Sequence, residues 1–264
     1  MNKAPLGVFD SGIGGLTVAR ALFERLPQES VIYFGDTARV PYGPKSPETV
    51  RRYSGEILAY LLQRGVKAVV VACNTSTAHA LGFLQERSPV PVVGVIEPGA
   101  RAAVAATRTG TIGVIGTAGT IASGAYERAI KALRADARVH SQPCPLFVPL
   151  VEEGWFEHPA AELIAREYLE PLRRAQVDVL VLGCTHYPLL KPLIARVMGP
   201  DVKLVDSAEE TATAVARELE RLDLLSNGGT HDHRFVVSDD EPHFRKVGAV
   251  FLGEKLKNVE VAPL

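Results

Sequence analysis

Val69-Val70-Val71-Ala72-Cys73-Asn74-Thr75 and Val179-Leu180-Val181-Leu182-Gly183-Cys184-Thr185-His186-Tyr187-Pro188 carry the same local message. In each, an aliphatic run long enough for a buried strand ends at a cysteine, and residues that favour starting a helix follow at once. Strands of this kind alternating with helices build a parallel sheet covered on both faces. The chain on either side of the two stretches has that alternation.

Before the first cysteine, Leu6-Gly7-Val8-Phe9 reads as a strand, and the turn Asp10-Ser11-Gly12-Ile13-Gly14-Gly15 opens a helix that Pro27 stops. A second strand over Ser30 to Phe34 leads into the rigid loop Val40-Pro41-Tyr42-Gly43-Pro44-Lys45-Ser46-Pro47. A helix from Ser46 to about Arg64, ended by Gly65, precedes the Cys73 strand. After it come a helix and the strand Pro91 to Ile96. The pattern then restarts. Thr111-Ile112-Gly113-Val114-Ile115-Gly116-Thr117-Ala118-Gly119-Thr120 repeats the strand and glycine-rich turn, and helices near 123–135 and 160–175 flank a strand near Arg138. In both halves the cysteine arrives roughly 65 residues after the glycine-rich turn, the mark of two related units.

The fold expected is therefore α/β: two similar doubly wound parallel-sheet domains related by a pseudo-two-fold axis. Residues 1–97 carry Cys73, residues 98–207 carry Cys184, and a break falls near Glu97-Pro98-Gly99. The tail, 208–264, has a helix over about Ser207 to Leu225, a Ser226-Asn227-Gly228-Gly229 turn and short strands such as Phe235-Val236-Val237, and is expected to return to the first domain.

Composition narrows the function classes. With 264 residues, 47% hydrophobic and 22% charged, the chain can bury a sizeable core. A formal net charge of -1 with signs interspersed provides no footprint for nucleic acid and no polybasic membrane patch. Apolar runs break well short of the roughly 20 residues of a membrane span, and Met1-Asn2-Lys3-Ala4-Pro5-Leu6 lacks a signal-peptide core. The expectation is a cytoplasmic protein with reduced thiols, because three cysteines are no disulfide framework in a chain this long. A small molecule is the expected partner.

In open α/β sheets, ligands bind beyond the carboxyl ends of the strands, where both cysteines are placed. A thiol at a helix N-terminus has its thiolate favoured below about 8.5, so each is expected to exchange a proton near neutral pH. The same N–H groups, with Asn74, Thr75 and Thr185, suit a carboxylate. Two thiols facing one carbon from opposite sides are suited to inverting it. Residue by residue, blander readings stand beside this one. Cys73 alone could be a small core residue, Asp10 a helix N-cap, Pro41-Tyr42-Gly43 a rigid turn, Glu152 a solvated acid and His186 a capping histidine. Cys144, between two prolines, reads as structural. Gly12-Ile13-Gly14-Gly15 does not complete a dinucleotide fingerprint, and Cys184 with His186 lacks the paired cysteines of a metal site.

Five segments in order resemble the glutamate racemases of the cofactor-independent aspartate/glutamate racemase superfamily: Asp10 to Gly15, Pro41-Tyr42-Gly43, Ala72 to Thr75, Val148-Pro149-Leu150-Val151-Glu152-Glu153-Gly154, and Gly183 to Pro188. The resemblance implies that Cys73 takes the α-proton from D-glutamate and Cys184 from L-glutamate. It makes Asp10, Glu152 and His186 auxiliary acid/base groups, and Asp10, Ser11, Pro41, Tyr42, Gly43, Asn74, Thr75, Thr185 and His186 substrate contacts alongside the two cysteines. It implies further that no cofactor or metal is used, that the chain forms a homodimer, and that D-glutamate is made for the cell wall. Aspartate racemase, or a non-catalytic amino-acid-binding protein on the same scaffold, are the competing expectations.

Overall fold

The computed structural model describes residues 3–226, 228, 232–253, 256 and 259–264. In the first half, β1 (Leu6–Asp10), β2 (Val31–Gly35), β3 (Ala68–Val71) and β4 (Val92–Gly94) alternate with α1 (Leu16–Arg25), α2 (Pro47–Gln63) and α3 (Asn74–Arg87). After α4 (Ile96–Ala106), the second half runs through β5 (Thr111–Gly116), α5 (Ala118–Ala122), α6 (Ala125–Leu133), β6 (Arg138–Pro143), α7 (Phe147–Glu152), α8 (Pro159–Arg174), β7 (Val179–Gly183), α9 (Lys191–Met198) and β8 (Lys203–Asp206). The tail adds α10 (Ala208–Arg221), β9 (His233–Val237), α11 (Glu241–Leu252) and β10 (Val259–Val261).

All strand pairs are parallel, in two sheets ordered β10-β9-β2-β1-β3-β4 and β6-β5-β7-β8. Within each half the second strand lies outside the first, and the third and fourth follow on the other side. The two halves thus share one topology, and each cysteine follows its half's third strand, beside the strand that carries the glycine-rich turn. That placement puts both at the carboxyl edge of a sheet next to the first strand, where doubly wound folds bind ligands.

Burial on both faces explains why β3 and β7 read as aliphatic runs and why β1 and β5 carry large apolar side chains on both faces instead of alternating with polar ones. Phe9, Val69 and Val71 pack with Ile57, Leu61 and Leu84 of α2 and α3, whereas Val8 and Val70 join Leu16, Leu22 and Leu219 on the other face. In the second sheet Val114 and Val181 meet α4 and α6, and Leu180 and Leu182 meet α8 and α9. A buried ion pair, Lys67 Nζ to Glu29 at 2.6 Å, fastens the tail to the first sheet. Lys67 also donates to the Leu224 carbonyl, and Glu29 accepts from the Ser226 amide. Among the described residues no helix is long and apolar enough to cross a membrane.

Several elements differ from the sequence expectation. Glu97-Pro98-Gly99, the expected boundary between the two units, is helical: it lies in the first turn of α4, a position where proline's missing N–H costs nothing. A short helix, α7, occupies the expected loop around Pro149. Cys184 is not followed directly by an α-helix: Pro188 disfavours α geometry at Tyr187, a 3-10 turn spans Tyr187–Leu190, and α9 begins only at Lys191. Of the expected Ser226-Asn227-Gly228-Gly229 turn, Asn227 and Gly229 lie outside the described residues.

Candidate active site

Cys73 is the N-cap of α3, and its sulfur accepts from the Ser76 amide at 3.5 Å. Asn74 and Thr75 open the same helix. At the end of β1 the chain turns through Asp10 to Gly15, so that Ser11 Oγ comes 3.7 Å from the Cys73 sulfur. Asp10 is not the N-cap of α1, a position held by Gly15; its Oδ2 accepts from the Gly12 amide at 2.9 Å. From the second half, β7 delivers Cys184, Thr185 and His186. Glycine at position 14 allows the two turns to meet, because a Cβ there would lie 2.5 Å from His186 Nδ1.

One cavity gathers Ser11, Pro41, Tyr42, Gly43, Cys73, Asn74, Thr75, Cys184, Thr185 and His186, together with Val40, Thr117 and Val148. Two of the expected site residues stand behind its wall. Asp10 is fully buried, with Thr185 Oγ1 donating to its Oδ1 at 3.5 Å. Glu152 reaches the site through His186, whose Nε2 is 3.0 Å from Glu152 Oε1 while Nδ1 is 3.9 Å from the Cys184 sulfur. Glu152 is therefore a paired acid, not a solvated one. Tyr42 is buried with its phenol donating to Asp36, which also accepts from Arg39 and Ser238. The Pro41-Tyr42-Gly43 loop is thereby anchored at the cavity, and the Val40-Pro41 peptide bond that leads into it is cis.

Contacts between the halves close the cavity. The Gly119 amide donates to the Gly43 carbonyl at 2.9 Å, and Thr75 Oγ1 lies 2.9 Å from Thr117 Oγ1 and 3.2 Å from Thr120 Oγ1. Cys144 is buried away from this cavity, and Tyr187 donates to its carbonyl at 2.8 Å. All three cysteines are free thiols. Among the described residues no group of three or more His, Cys, Asp or Glu could hold a metal ion.

The electrostatics of the two sulfurs differ, and one departs from the sequence expectation. Cys73 is not lowered by its helix N-terminus. Burial, with the Asp10 carboxyl nearby, pushes it up to about 11, outweighing Ser76 and Ser11. Desolvation of a thiolate exceeds what one amide and a fraction of a helix dipole return. Asp10 is itself raised by burial, against the pull of His186 and the amides of Gly12, Gly15 and Ser11. Beside Cys184 stands a cation instead. Burial alone would lower His186, but hydrogen bonds to Cys184 and Glu152 carry it up to about 10. Glu152 follows the same logic: burial raises it, and His186 with His243 brings it below its usual range. One thiol thus sits beside a carboxyl group and the other beside an imidazolium.

Sequence reasoning passed over three residues that shape this site. Thr117 had a signal, since it occupies in the second glycine-rich turn the place of the Asp10-Ser11 pair in the first. Asp36 and Tyr126 had none: Asp36 acts only through the Tyr42 phenol that the intervening loop folds back onto it, and Tyr126 through Asn74, to which its phenol donates at 2.7 Å from the other half of the chain.

Comparison with known proteins places this arrangement. The Asp/Glu/hydantoin racemase family model matches residues 15–215. The glutamate racemase of Geobacter metallireducens is 58% identical over 255 residues, 96% of this chain and 94% of that one. A glutamate racemase isoform from Bacillus anthracis superposes with a TM-score of 0.95 at 41% identity, covering 100% of this chain and 98% of the other. The Francisella tularensis glutamate racemase, solved in complex with D-glutamate, gives 0.94 at 39% identity over 99% and 98%. Sequence and fold agree along nearly the whole length and the family model over residues 15–215, and the chain belongs to the glutamate racemases of the Asp/Glu/hydantoin racemase family.

Proposed function

We propose that this enzyme interconverts L- and D-glutamate by a two-base mechanism that uses no cofactor, in a cleft between residues 1–97 with 208–264 and residues 98–207. The observation that carries the reading is the single cavity lined by both cysteines, each at the end of the equivalent strand of its half. Cys184 takes the α-proton of L-glutamate, with the His186 imidazolium and Glu152 behind it, and Cys73 supplies a proton to the opposite face. The roles exchange for D-glutamate. Cys73, a thiol at neutral pH, is in the donor form that the L-to-D direction needs. Asp10 stands behind it as the auxiliary group.

Removing a proton next to a carboxylate requires the developing carbanion to be met by preorganised donors. The hydroxyls of Ser11 and Thr75 and backbone amides at the α3 N-terminus supply them, while the Asn74 amide holds a substrate carboxylate in ground and transition state alike, with Pro41, Tyr42 and Gly43 closing the wall. Glutamate as substrate is supported by the relatives, which are glutamate racemases, and by the Francisella enzyme's D-glutamate complex. On the strength of the same kinship we further propose that the D-glutamate serves peptidoglycan synthesis, that the enzyme is cytoplasmic and that it works as a homodimer. Circular dichroism decay of L-glutamate and L-aspartate tests the reading: loss of signal with glutamate is expected, and turnover of aspartate alone would reject it.

A further inference from the structure

Asn74 is 3% exposed and lines the cavity, yet its two amide ends are treated differently. Oδ1 accepts from the Tyr126 phenol at 2.7 Å, whereas Nδ2 is buried without a hydrogen-bond partner. An amide is planar, so pinning its oxygen leaves one direction for its N–H groups. A buried, unpaired donor is costly unless something else completes it. Tyr126 lies on α6 and Asn74 on α3, so the pin reaches across from the other half of the molecule.

An amide oxygen can only accept, so the proton of the Tyr126–Asn74 bond belongs to the phenol. The ring itself is seated by two glycines. A Cβ at Gly183 would come 3.0 Å from Tyr126 Cε2, and one at Gly99 would come 3.3 Å from Tyr126 Oη. Gly183 directly precedes Cys184, so one ring is wedged between the second cysteine's strand and the helix that carries Asn74.

We propose that Tyr126 is a positioning residue for substrate binding: by holding Asn74 Oδ1 it aims Nδ2 at a carboxylate in the cavity, and it does so only when the two halves are closed on each other. Without the phenol the amide can swap its ends and present oxygen to the anion, which repels it. The proposal rests on the glutamate reading above. Both enantiomers keep their carboxylates in the cavity, so the effect falls on binding and is shared by both directions, while the thiols that move the proton are untouched.

The test is a double-mutant cycle of Tyr126→Phe and Asn74→Ala, read by calorimetric D-glutamate binding and by steady-state racemisation of both enantiomers. Phenylalanine keeps the seated ring. Tyr126→Phe is expected to raise the dissociation constant and both KM values about tenfold, leave kcat within about twofold, and add less than about twofold once Asn74 is alanine. Equal effects of Tyr126→Phe with and without Asn74 would overturn the proposal, as would a fall in kcat alone or an unchanged KM. Wild-type protein that fails to turn over or bind glutamate would instead reject the substrate reading.

Discussion

Gly14→Ala places a single methyl group where the first glycine-rich turn meets the second cysteine turn. The added Cβ would lie 2.5 Å from His186 Nδ1 and 2.7 Å from its Cε1, and closer still to Thr185 Oγ1. Neither neighbour can swing into solvent, since Thr185 is 7% and His186 4% exposed. Overpacking of this kind costs about 1–3 kcal/mol, a fall in melting temperature of a few degrees for a chain this size. Activity should suffer more. His186 must leave its 3.9 Å approach to Cys184 and its 3.0 Å contact with Glu152, and a displacement of about 1 Å in such a group costs about 10²-fold. Circular dichroism racemisation assays beside thermal melts give both numbers. Gly82→Ala is the matched control: it lies in α3 with nothing within 4 Å of its Cβ position, and should stabilise by about 0.5–1 kcal/mol with activity intact. A Gly14→Ala enzyme with wild-type kcat/KM would refute the geometry of the site.

Other consequences are testable. Alkylation of Cys73 by iodoacetamide, followed by peptide mass spectrometry, should be slow at pH 7 and rise about tenfold per pH unit as the thiolate fraction grows toward its pKa of about 11. Asp10→Asn removes the neighbouring carboxylate and should move that rise to lower pH. His186 is raised in the folded state to about 10. The stability it contributes is therefore complete below its unfolded value of about 6.5 and is lost as pH climbs toward 10. Melting temperatures should fall between pH 6.5 and 8.5, and Glu152→Gln should flatten that fall. Lys67→Met strands the buried Glu29 carboxylate and should cost about 3–5 kcal/mol in urea unfolding.

What the sequence disclosed about this fold depended on burial. β3 and β7, buried on both faces, are runs of aliphatic residues and place both cysteines. By contrast, β8 (Lys203-Leu204-Val205-Asp206) is a short strand at the sheet edge, with polar ends and no such run. The helix α4 was obscured because Glu97-Pro98-Gly99 reads as a breaker in the chain but occupies the one helical turn that tolerates proline. Helix α9 was masked by Pro188 and Pro192. In the site, motif residues were legible one by one, and their second partners were not. The Asp36 carboxylate behind Tyr42, the Tyr126 phenol behind Asn74 and the Glu152 carboxylate behind His186 are joined only by folding. The thiol of Cys73 is the sharpest instance. Its place at a helix N-terminus is local and readable, but the burial and the nearby Asp10 carboxyl that reverse the sign of its pKa shift are assembled only when the chain folds.

The central claim is that the two thiols act on opposite faces of one carbon, and the labelling of glutamate in heavy water tests it most directly. At early times, L-glutamate should yield D-glutamate carrying deuterium at Cα while the remaining L-glutamate stays unlabelled, and D-glutamate should show the reverse. Cys73→Ser and Cys184→Ser should each lower racemisation by about 10²–10⁴-fold. Equal early labelling of substrate and product pools would mean that one base serves both faces, and inversion without solvent hydrogen would remove the thiols from the reaction; either result would contradict the account.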